Sequence, residues 1–200
     1  MKYIVAIPDG ASDQLSAYPQ GNTPLRCAQT PTMDDLANHG EVGWAKTVPD
    51  TLPPGSDVAC LSIFGYNPAE IYSGRAPLEA ANMGLDLGER VAFRCNLVTI
   101  VDGVMKEFTA GHISTVEATE LIQALNQALG NDNIAFHPGV QYRHIVVAPA
   151  EWNAVQCTPP HDILDRKVET YLPQGTAGSW VNDLMDRSRA VLAEHPVNRK

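Results

Sequence analysis

Positive charge is scarce in this chain: 14 Lys and Arg stand against 23 Asp and Glu, leaving a formal net charge of −9. That balance excludes a broad nucleic-acid surface or an anionic-membrane surface, while leaving room for a local basic pocket that takes phosphate. No apolar run is long enough to span a bilayer, which excludes a membrane-spanning helix. Met1-Lys2 leads directly into an apolar run, so no cleavable leader is expected. The four cysteines, Cys27, Cys60, Cys95 and Cys157, form no Cys-x-x-Cys pair. This argues against a structural zinc and for reduced, mostly buried thiols. What is present fits a soluble, cytoplasmic protein: 44% hydrophobic residues to build a core and a moderate 18% charged.

Two short segments carry chemistry. Tyr3-Ile4-Val5-Ala6-Ile7 reads as a central parallel strand, and Pro8-Asp9-Gly10 comes at its carboxyl end. In open α/β sheets that end is where ligands bind, and Asp9 would be delivered there; the plainer reading is an Asp-Gly turn. Asp13 either caps a helix or joins the same site. In the second segment, Pro53-Pro54-Gly55 stops the chain and Ser56-Asp57-Val58-Ala59 opens a buried helix. Ser56 is expected at the N-cap, where free N–H groups and the helix dipole favour an anion and help stabilise an alkoxide. Ser and Asp are also ordinary caps, and this segment alone does not separate the two readings.

The remaining pattern places elements. Residues 32–39 read as a helix with a Thr32/Asp35 capping box, and residues 43–47 as a second strand. Asp34 and Asp35 are assigned to the helix dipole rather than to catalysis. Residues 77–83 form a short helix. Residues 92–101 read as one strand that turns at Asp102-Gly103 and returns over 104–108 as a hairpin. Ser114-Thr115-Val116-Glu117 opens a helix with Leu121, Ile122, Leu125 and Leu129 on one face. Strands over 134–136 and 142–148 come next, then an amphipathic helix over 179–193.

Taken together, several ordered blocks resemble the cofactor-independent phosphoglycerate mutases, in the archaeal-type branch of the alkaline phosphatase superfamily. The blocks are Asp9-Gly10 with Asp13; residues 30–37; residues 54–59 running through Leu61-Ser62 to Gly65-Tyr66-Asn67-Pro68; Tyr72-Ser73-Gly74-Arg75-Ala76-Pro77-Leu78-Glu79-Ala80; and residues 92–99. The resemblance implies an α/β fold: residues 1–88 as the N-terminal part of a parallel-sheet core, residues 89–175 as an inserted smaller α+β substrate-binding domain, and residues 176–200 returning to the core. It implies interconversion of 3-phosphoglycerate and 2-phosphoglycerate, a step of glycolysis and gluconeogenesis, through a phosphoserine. Two divalent metal ions (Mn, Mg, Zn or Co) would assist. Ser56 would be the nucleophile and, with Asp9, a metal ligand.

A substrate with a carboxylate and a phosphate matches arginine forks, so Arg94 and Arg143 are the expected holders, with His112, His144 and His161 as further candidates. Chains of this branch run to about twice this length, and the missing metal ligands are expected in Asp-x-x-x-His motifs, with none of the six histidines of this chain expected to form such a pair. The chain is therefore expected to be an N-terminal half, inactive alone and prone to homo-oligomerise. The alternatives are a related metal-dependent phosphatase or phosphotransferase, including a proposed homoserine kinase, and an inactive binding fragment.

Overall fold

Strand β5 (Arg143–Ala148) carries Ile145-Val146-Val147, and all three side chains are buried. A β-branched run with both faces apolar is suited to the middle of a sheet covered on both sides. That is where the computed structural model, which describes residues 1–199, places it. Strand β1 (Val91–Asn96) and strand β4 (Ala135–Val140) flank β5, each antiparallel to it, in the order β1-β5-β4. By alternation Val146 and Ala148 face one side, against helix α6 (Thr115–Leu129), Trp152 and Leu184 of helix α7 (Gly178–Ala193). Ile145 and Val147 face the other side, against Ala76 and Ala80 of helix α5 (Arg75–Asn82).

Helix α6 begins and ends where its residues dictate. Ser114 Oγ accepts from the Glu117 N–H and donates to its carboxylate, a reciprocal cap, and Gly130 closes the helix. Leu121, Ile122, Leu125 and Leu129 recur at helical spacing and are all buried. Each contributes about 1.5–3 kcal/mol by leaving water. A second sheet is the hairpin of β2 (Thr99–Val101) and β3 (Val104–Glu107). Its two-residue turn has φ of 50° at Asp102 and 74° at Gly103, the left-handed pair that matches strand twist. The single strand expected over 92–101 is thus two strands in two sheets: β1 pairs with β5, and only residues 99–101 join the hairpin.

These elements belong to one of two units, Ser73–Lys200; the other is Met1–Tyr72. The latter holds the short helices α1 (Pro24–Cys27), α2 (Pro31–His39), α3 (Ser56–Ile63) and α4 (Pro68–Ile71). The mixed helix-and-sheet class is as expected. The strands expected over 3–7 and 43–47, however, are not formed, and every ladder among the described residues is antiparallel. A strand exists only through its partners. Among the described residues nothing pairs with these segments, and their apolar side chains stand in water, Ile4 at 94% and Trp44 at 104% relative exposure.

Two smaller expectations also change. Thr30, not Thr32, is the residue before helix α2, and its hydroxyl donates to Asp34. The four cysteines are free, but Cys27 and Cys157 are exposed rather than buried; burial pushes the half-buried Cys95 thiol up to about 12. No helix among the described residues is long and apolar enough to cross a membrane.

Candidate active site

Ser56 opens helix α3 as its first helical residue, one step later than the N-cap expected; Gly55, in extended conformation, is the cap. The shift leaves the local chemistry in place, because Ser56 still sits in the first turn, where N–H groups lack helical partners. Its hydroxyl is exposed and donates to Asp9 Oδ2 across 2.9 Å. Forty-seven residues separate the two in sequence, so the contact comes from the fold of the unit and not from a local turn. Asp9 is held by a tight turn in which Ala11 N–H donates to Pro8 C=O and Gly10 takes φ of 74°. The position after Asp9 demands a left-handed residue, which explains the glycine.

Neighbouring acids are committed elsewhere. Asp13 accepts from the Tyr18 hydroxyl at 2.6 Å and the Gln14 N–H at 2.8 Å. The Tyr18 bond is the main reason its carboxyl lies below the ordinary range. Asp57 accepts from the Tyr72 hydroxyl. Asp9 and Ser56 are hard oxygen donors, the right kind for a hard divalent cation, but such an ion takes six or more donors. Among the described residues no group of three His, Cys, Asp or Glu side chains surrounds one point. One Asp-x-x-x-His spacing is in fact present, Asp35 to His39, contrary to the expectation that no histidine falls in such a motif. It spans one turn of α2, with His39 Nδ1 3.2 Å from Asp35 Oδ1 and both side chains exposed, the geometry of an ordinary i,i+4 pair.

In the unit of residues 73–200, Arg94 lies on β1 beneath α5, with Nε 3.3 Å from Glu79 Oε2 but without an aligned hydrogen bond. Asn96 is opposite Arg143 and Arg94 is opposite Ile145, so the two arginines stand diagonally on one face of the sheet. Arg143 is exposed, its guanidinium 5.2 Å from the centre of the Tyr142 ring. His161 is exposed and lies 6.2 Å from the Phe108 ring, with Nε2 3.5 Å from Asp162 Oδ1. His112 is also exposed. Phe108 and Tyr142 meet edge to face at 6.3 Å, so Arg143 and His161 are connected through two rings that sequence pattern does not single out.

Glu107 is a second residue that pattern alone misses. Its carboxylate accepts from the Thr109 N–H and hydroxyl at 2.9 and 2.7 Å and from the Gly111 N–H at 2.5 Å. Desolvation, the largest influence, pushes its pKa up, but the hydrogen bonds and His112 together hold it below the ordinary value. Beneath it the chain runs through three consecutive left-handed residues, Ala110, Gly111 and His112, at φ of 51°, 66° and 58°. For the two that are not glycine this costs about 1–2 kcal/mol each. A Glu-x-Thr-x-Gly-His run just after a strand is the available signal.

His144 is seated in the core, 1% exposed, with Nδ1 accepting from the Gly139 N–H at 3.0 Å. Burial lowers its pKa to about 4 from 6.5. His137 shifts the same way, through burial and then the Arg90 charge. A histidine held neutral in the fold makes the unfolded chain the better proton binder, so stability is fully present above pH 6.5 and falls as pH drops toward 4. Urea unfolding followed from pH 7 to 4.5 is expected to lose up to about 3 kcal/mol through His144. His144→Phe should flatten that slope, and an unchanged slope in the variant would assign it to other groups.

Comparison with known proteins gives a consistent picture. The family model described as 2,3-bisphosphoglycerate-independent phosphoglycerate mutase matches residues 37–198. A protein of that name from Methanosarcina barkeri is 54% identical over 200 residues, covering 99% of this chain and 50% of the relative. A Geobacter sulfurreducens protein named as a probable member is 47% identical, covering 100% of this chain and 51% of its own. This chain spans about half the length of the curated relatives it matches. Among solved structures, the cofactor-independent phosphoglycerate mutase of Thermoplasma acidophilum superposes with a TM-score of 0.53 at 27% identity, over 70% of this chain and 40% of that one. With a family match across four-fifths of its residues and relatives aligned along all of it, the chain belongs to the 2,3-bisphosphoglycerate-independent phosphoglycerate mutase family.

Proposed function

We propose that this chain supplies the phosphoryl-accepting serine of a metal-dependent enzyme that interconverts 3-phosphoglycerate and 2-phosphoglycerate. The observation that carries the reading is the Ser56 hydroxyl at the open end of α3, 2.9 Å from Asp9 Oδ2, in a chain of this family. Ser56 Oγ attacks the substrate phosphorus, the bond from phosphorus to the glycerate oxygen breaks, and the serine proton leaves along the hydrogen bond to Asp9. Glycerate takes up a proton on the oxygen it regains, stays bound and turns. Its other hydroxyl then attacks the phosphoserine, and Ser56 recovers its proton. Release of glycerate after the first transfer would give a phosphatase instead.

Asp9 and Ser56 would be two of the ligands of a divalent ion, with manganese, magnesium, zinc or cobalt as the candidates and two ions in the complete site. Such an ion would supply charge neutralisation and a lower pKa for the serine hydroxyl. In this reading residues 1–88 are part of the phosphotransferase core, residues 89–175 an inserted substrate-binding domain, and residues 176–200 the return to the core. Arg94, Arg143, His112, His144 and His161 are the proposed substrate-side residues. Exposure supports Arg143, His112 and His161 for that role more than the buried His144 and the Glu79-facing Arg94.

The test has two arms. Joined to the rest of the length of the Methanosarcina barkeri relative, the chain is expected to form 2-phosphoglycerate from 3-phosphoglycerate in a coupled assay. Failure there, with release of free phosphate, would replace the mutase by a phosphatase. Alone, the 200-residue chain is expected to show no sustained turnover and to retain less than one metal ion after gel filtration. Two tightly held ions with sustained turnover would mean that side chains outside Asp9 and Ser56 complete the site.

A further inference from the structure

We infer that Glu107 and Phe108 are positioning residues that set the spacing of the anion-holding side chains Arg143, His161 and His112. The inference rests on the reading of those three as substrate-holding. They come from separate segments, around 112, 143 and 161, and two of them meet through a row of rings: Arg143 on Tyr142 at 5.2 Å, Tyr142 against Phe108 at 6.3 Å, and Phe108 against His161 at 6.2 Å. Phe108 is one of the two inner members, between the Tyr142 and His161 rings. A guanidinium prefers a ring face and an imidazole packs edge to face, so Phe108 restricts His161 directly and Arg143 through the Tyr142 ring.

The turn immediately after Phe108 holds it in place. The left-handed run 110–112 is unfavourable for Ala110 and His112, and it is fixed by the three donors converging on Glu107 and by Thr109 Oγ1, which accepts from the His112 N–H at 3.1 Å. The same Glu107 latch therefore sets the backbone that presents His112 and the residue that carries the Phe108 ring. Its carboxylate already accepts three hydrogen bonds and so is engaged inward. The result is an exposed set of one guanidinium and two imidazoles, suited to a small acid with anionic groups at both ends, as a phosphoglycerate has.

The test is titration of the whole chain with 3-phosphoglycerate, followed by NMR of the histidine ring protons. Phe108→Leu, which keeps apolar volume but removes the ring, is expected to shift the free-state His161 signals and to weaken binding by at least about tenfold. Phe108→Tyr should restore both. Glu107→Gln, with one acceptor oxygen left for three donors, should weaken binding similarly and shift the His112 signals; it carries the test if Phe108→Leu fails to fold. Arg143→Met and His161→Gln are controls for the underlying reading. Wild-type affinity in Phe108→Leu and Glu107→Gln, with loss in the controls, overturns the positioning role alone. Wild-type affinity in the controls, or no binding by the unmodified chain, overturns the substrate-holding reading and the positioning role with it.

Discussion

Ser56→Ala, introduced into the chain completed with the remaining length of a full relative, is expected to lower phosphoryl transfer by more than about 10³-fold without unfolding it. A single electrostatic stabiliser is worth about 10²–10³ in rate, and a nucleophile is the atom through which the reaction runs. Stability should barely change. The hydroxyl is exposed and its partner, Asp9, is exposed too, so no buried group is orphaned. The rate is read by coupled detection of 2-phosphoglycerate and the fold by circular dichroism. A variant that keeps near-normal turnover would remove Ser56 from the chemistry and return it to the role of a helix-opening residue.

The second large effect concerns stability. Ile122→Ala is expected to reduce the unfolding free energy of the unit of residues 73–200 by about 2–5 kcal/mol. Ile122 is 0% exposed on α6 and belongs to the cluster that joins α6 to Phe136 of β4, Val146 of β5 and Leu184 of α7. Truncation there opens space that backbone on several sides must collapse to fill. Val116, on the same helix but exposed, is the control: Val116→Ala should change little or stabilise slightly, since Ala is the better helix former. Equal effects at both positions in denaturant unfolding would contradict the packing described for α6.

Legibility tracks the range of the interactions involved. Helix α6 is readable in full because its determinants are local: the Ser114/Glu117 cap, the four apolar residues on one face and the closing Gly130. The Asp102-Gly103 turn is readable for the same reason. Residues 92–101 read as one strand because alternation reports a pleated backbone without naming its partner, and the partners differ on either side of Leu97-Val98. The apolar runs at 3–7 and 43–47 have strand composition, but a ladder needs a second chain segment that pattern alone does not supply.

In the candidate site, Ser56 and Asp9 are legible as a pair only through the family resemblance; their 2.9 Å contact is a tertiary fact. Adjacency groups His144 with Arg143, yet successive strand residues point to opposite faces, and one lies in the core while the other is in water. Glu107 is easily passed over because a carboxylate at a strand end reads as surface. Only the left-handed turn after it brings three donors onto it. The Asp35-to-His39 spacing shows the reverse case, a motif match whose geometry is that of a helical surface pair.

The position of β5 also sets how this chain exchanges its protons with solvent. Every amide of Ile145, Val146 and Val147 lies between two neighbouring strands and under helices on both faces. No local fraying exposes them, so deuterium should enter only when the whole unit of residues 73–200 opens. Residues 3–7 and 43–47, without ladder partners among the described residues, should label within the dead time of mixing. The exchange rate of the β5 amides is therefore a direct gauge of that unit's global opening free energy, obtainable under native conditions and without denaturant.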